Sequence, residues 1–123
     1  LDLLGTGNNL TATATGGDYN DFNFTIDADT TTVNTAISGG GGNTTTLVLG
    51  TDKATVDITA VGASNTISLT QSGAGDSTHG MNFDLDINGS SNSVTTTQSG
   101  SQYNDVDVNI TGSTNTWTIN QSD

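Results

Sequence analysis

The chain contains no cysteine, no proline and almost no positive charge. Without cysteine it can form neither a disulfide framework nor a cysteine-based metal site. The absence of proline suits long strands, because proline removes a hydrogen-bond donor from a strand ladder. Lys53 is the single basic residue against thirteen acidic ones, all Asp, and the formal net charge is −12. This balance excludes an electrostatic nucleic-acid site, which needs basic clusters, and it disfavours contact with anionic membranes.

Long hydrophobic runs are also lacking. No stretch approaches the length of a membrane-spanning helix, so we expect no insertion into a membrane. Low apolar content with high net charge is typical of disordered chains, but here the few apolar residues recur in order. The length of 123 residues predicts one domain over residues 1–123. The start at Leu1, with no signal peptide, favours a mature or cropped product.

Three segments share one pattern, which is an Asn, an alternating strand and a Gln six residues after the Asn. They begin at residues 65, 92 and 115, so the pattern recurs after 27 and 23 residues. A repeat of this length predicts a stacked array of strand units. We call these segments A strands, and weaker copies begin near residues 8 and 43.

A second alternating segment, the B strand, follows most A strands. Its copies lie at 56–60, 83–87 and 106–110, with a weaker one at 33–37, and residues 22–26 have the same alternation within a longer first segment. The stretch 17–32 predicts either an insertion or one longer strand. Glycine recurs between the strands, as tight turns require; the predicted turn glycines are Gly39, Gly62, Gly73, Gly89, Gly100 and Gly112. The sequence therefore predicts an all-β, two-sided β-solenoid of about four to five strand–turn–strand rungs, without helices.

Alternation within each strand separates an inner face from an outer face. The inner face predicts a core made of Leu69, Phe83, Leu85, Ile87, Val106, Val108, Ile110, Trp117 and Ile119. The outer face of the A strands is rich in Thr and Ser, whereas that of the B strands carries carboxylates. Asp84, Asp86, Asp105 and Asp107 are weak candidates for cation binding, because oxygen ligands suit Ca²⁺; the alternatives are a diffuse cation atmosphere and a solvated acidic face. The single histidine, His79, cannot form a usual zinc site alone, and we expect no cofactor.

The segment from Asn65 through Gln71, Gly73 and Gly75 to Asp76 resembles the curlin repeat of bacterial curli fibres, whose pattern is roughly Ser-x5-Gln-x-Gly-x-Gly-Asn. Asn65 stands where that family has Ser, and Asp76 where it has Asn. The copy at Asn92 keeps its Gln and first Gly but has Gln102 at the second. The B strands lack the Gln that the family carries there, and the resemblance covers about half of the chain.

The resemblance implies a secreted, curlin-like solenoid whose subunits polymerise into an amyloid-like fibre. Inward amides stack as ladders in such fibres, which implies two polar ladders, made of Asn65, Asn92 and Asn115 and of Gln71, Gln98 and Gln121. It further implies an extracellular location, the protein itself as partner in a homopolymer, and a nucleator and outer-membrane export machinery as possible additional partners.

The two ends of the chain predict open strand edges. Residues 1–5 resemble the tail of a B strand, and the last A strand has no B strand after it. Unpaired edges are templates for pairing with another copy. We therefore expect a structural fibre subunit and not an enzyme. An ice-binding or surface-binding solenoid that uses the Thr face, and a repeat segment of a larger adhesin or phage fibre, are the alternatives.

Overall fold

A computed structural model of the protein describes residues 1–50, 53–73, 81–100 and 104–122. Every regular element in these ranges is a β-strand. The strands are β1 (Asp2–Gly5), β2 (Asn8–Thr15), β3 (Tyr19–Ala28), β4 (Thr30–Ser38), β5 (Gly42–Leu49), β6 (Lys53–Val61), β7 (Ser64–Ser72), β8 (Met81–Asn88), β9 (Ser91–Ser99), β10 (Asp105–Thr111) and β11 (Thr114–Ser122).

Successive strands alternate between two sheets. The odd-numbered strands form sheet A in the order β1-β3-β5-β7-β9-β11, and the even-numbered strands form sheet B in the order β10-β8-β6-β4-β2. All neighbours within a sheet are parallel, as in the pairing of β7 with β9 and of β6 with β8. A strand of sheet A and a successive strand of sheet B therefore make one turn of a solenoid together, with about five turns in all. The predicted all-β solenoid is confirmed.

Residues of equivalent position stack in columns along the solenoid, because adjacent strands pair without offset. In sheet B one inward column runs through Val33, Val56, Phe83 and Val106. The inner faces of the two sheets meet in one core, in which Leu69, Phe83, Leu85 and Ile87 are buried. Val106, Val108 and Ile110 on the last strand of sheet B are partly buried and pack against that core.

The predicted phase of the first strands is wrong. The strand that begins at Asn8 lies in sheet B beside β4, not among the A strands. Residues 2–5 pair with Thr25–Ala28 of β3 and belong to sheet A, so they do not form the tail of a B strand. The segment 22–26, which alternates like the B strands, lies within β3 of sheet A. Local alternation is the same on both sheets and cannot show which sheet a strand joins; only the column register does so.

The stretch 17–32 contains no insertion. β3 is a single ten-residue strand, Tyr19–Ala28, and β4 begins at Thr30 after one intervening residue. Part of the curlin-like motif, namely Gly75 and Asp76, lies outside the described residues, as do His79 and Gln102.

Trp117 and Ile119 are not core residues, contrary to the prediction. Their side chains keep 59% and 39% of their accessible surface. They occupy inward columns, since Trp117 pairs with Val94 and Ile119 with Thr96 of β9. However, β11 is the last described strand, and β9 is its only partner in sheet A. An inward position becomes buried only where a further turn covers it, so both side chains lie on the open end.

Candidate functional site: amide ladders and open strand edges

Five asparagines stack along one inward column of sheet A. Nδ2 of each of the first four donates a hydrogen bond to Oδ1 of the next Asn, at 2.9 Å, 2.9 Å, 3.0 Å and 2.9 Å. The column consists of Asn20, Asn43, Asn65, Asn92 and Asn115. Asn43, Asn65 and Asn92 are buried. Because buried amides are tolerated only when they are hydrogen-bonded, the column fixes the register of sheet A.

The turns before β7, β9 and β11 orient the amides of the Asn ladder. The Nδ2 atoms of Asn65, Asn92 and Asn115 each also donate to the carbonyl oxygen of the glycine three residues earlier, at 3.5 Å, 3.2 Å and 3.4 Å. A carbonyl oxygen only accepts, so the amide atom that faces it must be the nitrogen. This assignment gives the ladder one direction along the solenoid, with donors pointing toward β11.

Glycine is required at these turns because the turns themselves stack closely. A Cβ atom added to Gly89 would collide with the carbonyl oxygen of Gly62 and would lie 2.9 Å from Oδ1 of Asn92. A Cβ on Gly112 would collide with the carbonyl oxygen of Gly89 in the same way. The backbone N–H groups of Gly39, Gly62 and Gly89 donate to the next turn of the solenoid, at 3.0 Å, 3.0 Å and 2.9 Å. The predicted turn glycines on this side therefore form a column that supports the Asn ladder.

Gly73 and Gly100 lie on the opposite side of the solenoid, after the A strands. Their backbone N–H groups donate to the carbonyl oxygens of Ser99 and Ser122, at 3.3 Å and 3.1 Å. Gly100 also has a φ of 130°, a conformation that side-chain-bearing residues rarely adopt. The turns on both sides of the solenoid are thus hydrogen-bonded from one rung to the next.

The glutamines occupy a second inward column at the other end of the A strands. Gln71, Gln98 and Gln121 pair in register, and Nε2 of Gln121 donates to Oε1 of Gln98 at 2.8 Å. The column starts at Gln71, because Leu49 and then Ile26 precede it. Gln71 and Gln98 are fully buried. The amide columns therefore extend over different lengths, with five residues for Asn and three for Gln.

Sequence reasoning missed the first two members of the Asn ladder as site residues. Asn43 was identified only as the start of a weak A strand, and Asn20 was not identified. The signal was present, because Asn20 precedes Asn43 by 23 residues, the same interval that separates Asn92 from Asn115. Asn8, the predicted start of a weak A strand, does not fit that interval.

The C-terminal end of the solenoid presents an open groove between the edge strands of the two sheets. The groove has a volume of about 250 Å³ and is lined by Val108, Ile110, Asn115 and Trp117. In the described chain, β10 and β11 each have a neighbour on one side only. The unpaired backbone groups of both strands and the exposed indole of Trp117 therefore lie on the same surface.

The outer faces of the two sheets differ in chemistry. From β5 to β11 the outer face of sheet A bears Ser or Thr at every strand position except Gly42, Val48 and Asn120. On sheet B, Asp57, Asp84 and Asp107 pair in one column. Crowding of Asp84 among its neighbours removes part of its solvent, and the charges of Asp57, Asp86 and Asp107 add to this, so its pKa is raised above the ordinary value of 3.8.

An amide interrupts the next acidic column. Asn109 stands where a further carboxylate would stack on Asp86, and its Nδ2 donates to Oδ1 of Asp86 at 3.1 Å. Within the described ranges, no three acidic or histidine side chains converge as a metal site would require. The four Asp candidates therefore form a dispersed acidic face.

No protein-family model matches the chain, and no curated protein or solved structure is significantly similar to it. The described residues also contain no helix long and apolar enough to cross a membrane. The β-solenoid fold is compatible with a structural repeat protein.

Proposed function

We propose that the protein is a non-catalytic structural subunit that polymerises head to tail into an extracellular, amyloid-like filament. The observation that carries this proposal is one end of the described solenoid, where the edges of β10 and β11 have no neighbouring strand among the described residues and flank an exposed Trp117. Flat parallel edges template the addition of further strands. A contact that joins different ends of two copies does not close on itself and therefore produces filaments.

The columns specify how a second copy would be placed. If β2 of the incoming copy continues sheet B beyond β10, its inward residues Leu10, Ala12 and Ala14 lie over Val106, Val108 and Ile110. This follows because both sets belong to the same columns. Ala12 and Ala14 have small side chains, whereas the neighbouring indole of Trp117 is large. The groove therefore has room for the two alanines together with the indole. The contact would bury the apolar surface that the last turn leaves exposed.

The curlin resemblance supports the extracellular setting of the proposal. Fibres of that kind depend on a nucleating partner and on export through the outer membrane, which we propose as additional partners here. The strong negative charge favours this proposal as well, because mutual repulsion keeps free subunits soluble. The strands of sheet A carry carboxylates only on β1 and, as Asp21 and Asp27, on β3. The outer face of sheet A is therefore neutral in the later turns.

Electron microscopy and sedimentation of the purified chain in physiological salt test the proposal directly. We expect long unbranched filaments that bind thioflavin, with strands perpendicular to the filament axis and a repeat of about 4.8 Å in fibre diffraction. A chain that remains monomeric at high concentration would overturn the proposal.

A substitution at the open end provides a sharper test. Trp117→Lys places a charge within the proposed contact, where an unpaired buried charge is costly, and should abolish filament growth. Tyr19→Lys is the matched control, because Tyr19 is 85% exposed and faces outward on β3. Equal growth of both variants would show that the end formed by β10 and β11 is not the growing surface.

The outer face of sheet A favours a second candidate function, the binding of ice or another ordered surface. Its hydroxyls lie in register on strands about 4.8 Å apart and repeat about every 6.7 Å along each strand, and no charge interrupts them from β5 to β11. Thermal hysteresis of the soluble monomer tests this candidate. Loss of hysteresis in Thr95→Lys, with retention in Thr59→Lys on the outer face of sheet B, would support it, and absence of hysteresis in the unmodified chain would exclude it.

A further inference from the structure

Two asparagines outside the ladder have buried amide atoms without hydrogen-bond partners. They are Nδ2 of Asn8, at the start of β2, and Oδ1 of Asn104, immediately before β10. One atom is a donor and the other an acceptor. A buried polar atom that lacks a partner is destabilising, and native structures contain few of them.

Both residues belong to the same column of sheet B and lie at its opposite ends. Asn8 pairs with Thr31, Thr31 with Ala54, and Ala54 with Met81. The pairing of Asp105 with Asn82 continues this register, so Asn104 falls opposite Met81. The column thus begins with an amide on one edge strand and ends with an amide beside the other.

We propose that Asn8 of one copy and Asn104 of the next form an amide clasp that sets the register of the junction between copies. This inference rests on the proposed head-to-tail assembly and specifies its contact. When β2 is placed on β10 in column register, Asn8 lies directly over Asn104, about 4.8 Å away along the stack. The χ2 angle of Asn is broad and adjusts readily, so Nδ2 of Asn8 can donate to Oδ1 of Asn104.

The clasp uses between copies the same pair of amide atoms as the Asn ladder within one copy, with the donor on the later turn and not on the earlier one. In the ladder, Nδ2 of one Asn donates to Oδ1 of its neighbour one strand away, as between Asn65 and Asn92 at 3.0 Å. A slip of one residue would place Asn8 against Asp105 and would turn every inward side chain of β2 outward. The clasp therefore favours the single register in which the apolar columns also continue.

Other buried polar atoms without partners do not compete for this role. They include four threonine hydroxyls, and these lie on strands with a neighbour on each side, where a second copy cannot reach them. They belong to Thr31, Thr35, Thr45 and Thr96. In contrast, Nδ2 of Asn8 lies on β2 and Oδ1 of Asn104 lies beside β10, and these two strands are the edges of sheet B.

A double-mutant cycle on filament formation tests the clasp. Asn8→Val and Asn104→Val each leave one buried amide without its partner at the junction. Each should raise the critical concentration for assembly about tenfold. The double variant removes both amides and should return to within a few-fold of the unmodified chain. Asn34→Val, at an exposed position on an inner strand of sheet B, is the control and should leave the critical concentration unchanged.

An engineered disulfide tests the same contact without relying on stability. The chain has no native cysteine, so Asn8→Cys combined with Asn104→Cys introduces a single pair. Within one copy these positions are four strand spacings, about 19 Å, apart, which is too far for a disulfide. Oxidised filaments should therefore yield covalent oligomers. Thr15→Cys combined with Asn104→Cys, at the other end of β2, should not.

The outcomes separate the clasp from the assembly itself. Non-additive effects of Asn8→Val and Asn104→Val on the critical concentration, together with cross-linked oligomers, support the clasp. Filaments that form with additive substitutions and no cross-links overturn the clasp but leave the proposed function intact. An unmodified chain that forms no filaments overturns the proposed function, and the clasp with it.

Discussion

The two sheets of the solenoid use polar residues in opposite ways. Sheet A buries amides in inward columns and, from β5 to β11, presents uncharged hydroxyls outside. Sheet B packs mainly apolar side chains inside, such as Val56, Phe83 and Leu85, and presents carboxylates outside. Both sheets contribute large apolar side chains to the shared core, so the difference lies in the polar residues: sheet A uses buried amides to specify the register, whereas sheet B places its carboxylates on the outer face.

The largest expected effect tests the stabilising role of the shared core. Phe83→Ala removes a fully buried ring from the middle of the stack and should lower the free energy of unfolding by about 4 kcal/mol. Urea denaturation of the monomeric chain measures this change. Phe22→Ala is the matched control, because Phe22 is only partly buried on β3, and it should cost clearly less. Equal losses at the two positions would contradict a stabilisation that depends on burial within the stack.

The next effect tests the register role of sheet A. Asn65→Ala breaks two ladder bonds, one from Asn43 at 2.9 Å and one to Asn92 at 3.0 Å, and leaves buried amide atoms without partners. We expect a loss of about 3 kcal/mol, measured in the same denaturation assay. Asn34→Ala, at an exposed position on sheet B, should change stability by less than about 0.5 kcal/mol. If both substitutions cost equally little, the ladder does not stabilise sheet A.

A smaller effect tests the turns that lead into sheet A. Gly89→Ala forces a Cβ against the carbonyl oxygen of Gly62 and close to the ladder amides. The turn must shift, and we expect a cost of about 2 kcal/mol. Gly40→Ala is the control, because the nearest heavy atom to its added Cβ would be 4.0 Å away. Equal melting temperatures for the two variants would show that the stacked turns tolerate a side chain.

The same contrast explains what the sequence could predict. The period-2 pattern and the recurring Gly predicted strands, turns and an all-β solenoid, because a strand's inner face follows from alternation alone. The ladder partners from Asn65 onward were implied by the resemblance to the curlin repeat. The phase of the first turn did not, because a segment such as 22–26 alternates identically in either sheet. The exposure of Trp117 was also missed, since burial depends on which strands cover a column and not on the residue type.

The acidic face allows the finest test of the contrast, through pH. The raised pKa of Asp84 arises from partial desolvation and from the charges of Asp57, Asp86 and Asp107. The folded chain therefore takes up a proton at higher pH than the unfolded chain does. Because proton binding and folding are linked, the charged form of Asp84 destabilises the folded chain at neutral pH. This destabilisation disappears as the pH falls through the raised pKa toward the ordinary value of 3.8.

Asp84→Asn removes the charge at the centre of this column while it keeps the shape of the side chain. At pH 7 the variant should be more stable than the unmodified chain by about 0.5 kcal/mol, the scale of exposed charge interactions. The gain should shrink as the pH is lowered, because the unmodified chain then becomes neutral at the same position. Asp21→Asn on sheet A, where Thr44 is the paired residue, should give no comparable gain. Thermal melts of the three chains between pH 7 and pH 4 measure the effect, and a gain that is undiminished at pH 4 would contradict a charge-based cause.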